Sequence, residues 1–383
     1  MKKVSLTVFF PALLMMASCN SDQKEAVNKT SEQPKTALVS LNYAEKLKID
    51  HVQNISIVQI TEPFKGAETS LTYYLIPKDQ EVPDSLRSTR IIRTPVEKFA
   101  CTSTTHLPGL TLLNSESTLV GFPSLALVSA PSITTRIEAG EVAELGKDYS
   151  LNTEVVLEVD PELLMTFTMD GNYKHLSPLS KAGIATIVNA DYLETTPLGR
   201  AEWIKLFGAL FQKTEMADSV FRSIESEYNR VKELLSTVEK KPTTFNGMDY
   251  NGVWYMPGGN SWMAKFLSHA GADYLWKENT ETGSIELGFE AVYDRAVEAD
   301  IWLNVHSFNT LSELEAADER YSKFKAYEKG MVFNSNARAN ENGGDDYYEA
   351  GFSRPDLVLK DLAKIFHPEI MAEHDLYFYK QLK

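Results

Sequence analysis

Residues 334–351 read NSNARANENGGDDYYEAG, which sets Arg338, two aspartates and the adjacent Tyr347 and Tyr348 among asparagine and glycine spacers. A stretch this polar ordinarily reads as a solvated surface loop, but two neighbouring tyrosine rings cover large apolar areas and argue against that. Residues 254–275, WYMPGGNSWMAKFLSHAGADYL, break a short aromatic run at Pro257-Gly258-Gly259-Asn260-Ser261 before a helical pattern begins. Glycines there let the backbone bend tightly, Asn260 or Ser261 is placed to cap the helix, and such helix entries are where ligands approach main chain. Two further loops with ligand-facing chemistry follow predicted strands: CTSTTHL (101–107), with four hydroxyls and His106, and TMDGNYK (168–174). His106 and His306 each follow a predicted strand, where ligands bind in α/β sheets. The signatures of common enzymes are missing: there is no G-x-S-x-G, P-loop, H-E-x-x-H, CxxC or G-x-G-x-x-G. The seven histidines are scattered, which leaves a zinc or manganese site assembled from distant residues open.

The elements that must position these residues are legible in outline. The chain has 383 residues, 43% apolar and 24% charged, enough for two lobes with cores of their own. Its net charge of −15 and the absence of a basic tract argue against nucleic acid or an anionic membrane surface as partner. Residues 1–18 form a signal-like segment, with Lys2 and Lys3, an apolar run too short to span a bilayer, and small residues before Cys19. Met16-Ala17-Ser18-Cys19 resembles a bacterial lipoprotein signal, which makes Cys19 the lipidation site and 19–36 a polar tether. Cys101 is the other cysteine; it lies in an apolar patch and reads as a small buried residue, so core packing alone holds the fold. Residues 37–94 read as a β-rich lead-in packed on the first lobe. Strand–helix alternation over 95–196 and again over 241–383 indicates two α/β lobes. Between them, 197–240 is an almost unbroken helical pattern with a joint near Gln212–Thr214, and Met216, Val220, Ile224, Tyr228, Val231, Leu235 and Val238 share one stripe.

YMPGGNSWMAKFLSHAGADY resembles a segment of ABC-importer solute-binding proteins of the ferric-siderophore, haem and cobalamin type. VEKFACTSTTHLPGLTLLNSESTLVGF, LNTEVVLEVDPELLMTF and GFEAVYDRAVEADIWLNV are similar to further units of that family, in order, over roughly residues 92–370. The resemblance implies two Rossmann-like α/β lobes joined by a single long α-helix, here with the extra β-rich lead-in. It implies a binding protein and not an enzyme, with no intrinsic cofactor and no resident metal, that holds an iron chelate, haem or cobalamin between its lobes. On that reading the ligand contacts are Thr104, His106, Asp148, Tyr149 and Asp170 from the first lobe. From the second they are Trp254, Tyr255, Trp262, Arg338, Tyr347 and Tyr348, with Arg338 facing an anionic group. A buried core position is the alternative for Trp254. Glu154 and Glu290 match the two glutamates through which the family docks on its permease. The partners implied are an ABC permease and its ATPase, the cargo, and the membrane through the Cys19 lipid; the protein itself is expected to be a monomer in the cell envelope, on the periplasmic face or exposed at the surface. A zinc- or manganese-binding protein of similar fold and a surface ligand-capture lipoprotein are the alternatives.

Overall fold

The computed structural model describes residues 41–147, 150–173 and 176–383. The signal at 1–18, Cys19 and the tether, the start of the lead-in, and Asp148 and Tyr149 lie outside these residues. The described residues form one compact unit.

The lead-in is a four-stranded sheet in chain order, β1 (Leu47–Val52), β2 (Ile55–Ile60), β3 (Leu71–Pro77) and β4 (Ile91–Thr94). Alternation puts Leu47, Ile49, Val58, Ile60, Tyr73, Leu75 and Ile92 on the buried face. Two buried carboxylates fasten the chain that enters it. Glu202 accepts the N–H groups of Asn42, Tyr43 and Ala44 at 2.7–3.0 Å, and Glu194 accepts those of Glu45 and Lys46 together with the Trp203 indole. The lead-in is thereby tied to the connection between the lobes.

The first lobe carries β5 (Phe99–Cys101), β6 (Leu119–Phe122), β7 (Ala143–Glu144), β8 (Leu163–Thr166) and β9 (Ala185–Val188) in the parallel order β9-β8-β5-β6-β7. The second carries β10 (Thr243–Asn246), β11 (Val253–Pro257), β12 (Asp273–Tyr274), β13 (Ser284–Leu287), β14 (Ile301–Leu303), β15 (Val332–Asn334) and β16 (Lys380–Gln381). Its main sheet runs β12-β10-β14-β15-β16, parallel except for the last pair. In both lobes the first strand lies inside the sheet, paired in the first lobe with β6 and β8 and in the second with β12 and β14. Strands β11 and β13 pair antiparallel in a small sheet of their own with Asp249–Tyr250. The buried strands are runs of Val, Leu, Phe and Trp, as sheets covered on both faces require.

The connection carries two short helices, Pro197–Ala201 and Ile204–Leu210, and then the single long helix Thr214–Ser236, as expected. The chain breaks at Gln212, whose φ of 53° is left-handed, and Lys213 Nζ then binds the Leu113 and Asn114 carbonyls at 2.8 and 2.7 Å. The buried stripe of the long helix is Ala217, Phe221, Ile224, Tyr228, Val231 and Leu235. It is displaced by one residue from the expected Met216–Val220 start, because Phe221 packs against Tyr43 of the lead-in, ring centroids 6.0 Å apart. At the far end Tyr228 hydrogen-bonds His269 of the second lobe at 2.7 Å. Residues 319–328 form a 3-10 turn (Glu319–Lys323) and one helical turn (Lys325–Glu328), and a helix at Leu311–Ala317 carries a full Thr310/Glu313 capping box.

Candidate functional site

Three adjacent second-lobe strands end in asparagine: β10 in Asn246, β14 before Asn304, and β15 in Asn334. Asn246 stands in register with Leu303, and Leu303 with Phe333, so the three asparagines make a row of residues at the carboxyl end of the sheet, Asn304 and Asn334 one position beyond Asn246. This row floors a cavity of about 520 Å³. Asn304 and His306 have φ of 59° and 57°, left-handed values unusual for residues with side chains. The loop they make is held by Asn334 Nδ2, which donates to the His306 and Phe308 carbonyls at 2.6 and 3.0 Å. Gly247, at φ 81°, completes the turn beyond β10.

Aromatic rings form the walls. Strand alternation sends Trp254 and Tyr255 to opposite sides. Tyr255 is 47% exposed on the cavity, whereas Trp254 is fully buried and donates its indole N–H to the Asn246 carbonyl at 2.8 Å. Trp302 does the same to the Gly247 carbonyl at 2.7 Å. Trp254 thus fixes the floor from behind and is not on its surface, which corrects the sequence-based placement. Trp262 is half-buried on the wall, edge-on to Phe266 and Phe352. Ser261 caps its helix by accepting from the Ala264 N–H at 3.2 Å. Gly258 and Gly259 are needed for close approach: a Cβ would lie 2.3 Å from the Glu281 carbonyl oxygen at one and 2.2 Å from that of Asn279 at the other. Tyr250 stacks on His306 at the rim.

Tyr347 and Tyr348 also line the cavity, and the segment that carries them crosses to the first lobe. Asn340 Nδ2 donates to the Ala126 and Val128 carbonyls at 3.0 and 3.3 Å. Glu349 accepts the Ser129 and Ala130 N–H groups at 2.7 and 3.0 Å. These open the helix Pro131–Glu138, whose N-cap, Ala130, has no side chain to offer, so a carboxylate of the other lobe supplies the cap. Burial pushes the Glu349 carboxyl up to about 7. The helical turn Asp346–Glu349 packs on the 3-10 turn Thr104–His106, so the carboxyl ends of the two sheets meet across this strap.

The other expected contacts fall elsewhere. His106 is 1% exposed beneath the strap, and desolvation lowers its imidazole to about 3. Thr104 is half-buried in the same turn, and Asp170 is exposed on the 168–172 loop; neither lines the cavity. The 168–172 loop is braced by the lead-in, where the Phe64 ring packs on Gly171. Arg338 pairs with Asp346 at 2.5 Å and covers the Tyr377 ring at 4.4 Å, so its charge is already partnered. Arg200, beside Trp262 and Phe352 with its guanidinium 5.1 and 4.0 Å from the ring centroids, was not anticipated. Glu154 and Glu290 are exposed in the first turns of Thr153–Val159 and Phe289–Ala296, the helices that feed β8 and β14, each of which pairs with the first strand of its lobe. Among the described residues no group of three His, Cys, Asp or Glu side chains is placed to hold a metal ion, and no helix is long and apolar enough to cross a membrane.

A family model described as periplasmic binding protein matches residues 102–339. An uncharacterized lipoprotein of Methanocaldococcus jannaschii is 24% identical, over 95% of this chain and 92% of its own length. A possible iron-binding (periplasmic solute-binding) protein from Staphylococcus epidermidis superposes with a TM-score of 0.54 at 15% identity, over 71% of this chain and 99% of its own. A periplasmic heme binding protein from Pseudomonas aeruginosa gives 0.55 at 17% identity, over 72% and 94%.

Proposed function

The chain belongs to the periplasmic binding protein family, and from that premise we propose that it is the lipid-anchored solute receptor of an ABC importer. It binds an iron complex, whether a ferric siderophore or haem, or cobalamin between its lobes and hands it to a membrane permease driven by a separate ATPase. The observation that carries this reading is the cavity at the carboxyl ends of the second-lobe strands, walled by Tyr255, Trp262, Tyr347 and Tyr348 and bordered by a strap bonded to the first lobe. A flat metal complex suits such ring faces. Names among the similar proteins, a lipoprotein, a possible iron-binding protein and a heme binding protein, support the anchor and the cargo class. Residues 1–19 supply the sequence basis of the anchor.

The test is quenching of tryptophan fluorescence in the purified protein by haem, cyanocobalamin and a panel of ferric siderophores. Saturable quenching by one of them, through Trp262 at the wall, is expected. A folded protein that none of them quenches is not this receptor.

A further inference from the structure

Among the described residues no Lys, Arg, Asp or Glu side chain lines the second-lobe cavity, and His306 is its one imidazole. His306 is also the one exposed histidine among those described. The others are covered or committed: His106 is buried, and His51, His269, His367 and His374 each have a ring nitrogen bonded to a neighbour. His306 bonds the Ser307 hydroxyl through Nδ1 at 3.1 Å, and its Nε2 has no partner among the described residues. With the proton on Nδ1, the Ser307 oxygen accepts it and the Nε2 lone pair is left free, the state in which an imidazole binds a metal.

The surroundings hold this ring in place. Its backbone is left-handed at φ 57°, and its carbonyl accepts from Asn334 Nδ2 at 2.6 Å. Tyr250 stacks on it with ring planes 13° apart. A left-handed backbone costs energy in a residue with a side chain, and such positions gather where a group has to be aimed. One imidazole does not hold a bare ion, and among the described residues no three His, Cys, Asp or Glu side chains come together to do so. A metal that reaches His306 therefore arrives with its other positions already filled.

We propose that His306 Nε2 ligates the metal of the cargo, and that the cargo is a planar macrocyclic complex with one axial position held by water. The nitrogen takes that position: the metal–oxygen bond breaks, a metal–nitrogen bond forms, water leaves, and no electron is transferred. Exposed Tyr255 and Tyr348 and half-buried Trp262 surround the site with aromatic surface suited to a flat macrocycle. The inference rests on the solute-receptor reading and narrows it to metal macrocycles. An iron complex whose six positions are filled by its own chelator gives His306 nothing to bind.

Absorption titrations of the full chain with ferric haem, aquocobalamin and a hexadentate ferric trihydroxamate test this. Haem or aquocobalamin is expected to bind tightest, with its bands shifted to those of a metal that has exchanged water for nitrogen. His306→Ala is expected to weaken that binding at least tenfold and to lose the shifted bands, and imidazole added to the variant is expected to restore them. Should His306→Ala fail to fold, the bands of His306→Asn decide, since asparagine tolerates a left-handed backbone. Binding without a band shift, shifted bands that the folded variant retains, or a loss that imidazole does not restore overturns the inference and leaves the receptor reading standing. The trihydroxamate binding as tightly as the macrocycles does the same. Binding of none of the three overturns both.

Discussion

Trp254 and Trp262 separate two roles that residue type alone does not distinguish. Trp254 lies in a cluster with Phe245, Trp302, Tyr321 and Phe324 and has no exposed surface. Replacing it by alanine is expected to cost about 3–5 kcal/mol of stability, read as a fall in denaturant midpoint. Trp262→Ala removes a half-exposed wall and is expected to weaken cargo binding about tenfold while the melting temperature shifts by only a few degrees, about what ~1 kcal/mol moves it. A collapse of stability in that variant would return Trp262 to the core. The distinction between Trp254 and Tyr255 was available from strand alternation, which forbids both from facing one cavity. The strand endings TTFN, IWLN and VFN were equally visible, yet three asparagines gain meaning only when their strands become neighbours. Arg338 misled for a related reason. Its partner is eight residues away, and sequence does not show whether a guanidinium is already paired.

At the scale of elements, the strap behaves as a cap delivered across the molecule. The Glu349 carboxyl has its affinity for a proton raised from 4.5 to about 7, chiefly by desolvation. A carboxyl that holds its proton more tightly folded than unfolded contributes stability that is complete below about 4.5 and is lost as pH rises through about 7. Glu349→Gln removes that dependence. Across pH 5 to 8 the wild type is therefore expected to lose stability relative to the variant, by roughly 3 kcal/mol in all. Chemical denaturation of the two proteins at a series of pH values checks it, and parallel pH profiles would contradict it. From sequence, residues 334–351 looked like a loose loop with two tyrosines too many, because a cap is recognised locally and this one is not local. The long helix, by contrast, was legible from its period; only its first two turns were misread, where the lead-in dictates which residue is inside.

For the whole molecule, Glu154 and Glu290 open helices that each feed a strand paired with the first strand of its lobe, and both are exposed. Glu290 lies 3.9 Å from Arg320, a loose and solvated pair that leaves it available to another arginine. Glu154→Lys with Glu290→Lys is expected to abolish cargo uptake by cells while affinity in solution stays within twofold. A parallel loss of affinity would place these residues at the cargo and not at the permease. The bond from the Ala130 N–H to Glu349 joins residues 219 apart. While the chain is being made, the helix Pro131–Glu138 therefore waits, its first turn uncapped, until residue 349 has appeared. The first lobe is in this sense finished by the end of the second, and a truncation that ends before residue 349 leaves an unfinished first lobe as well as a shortened second one.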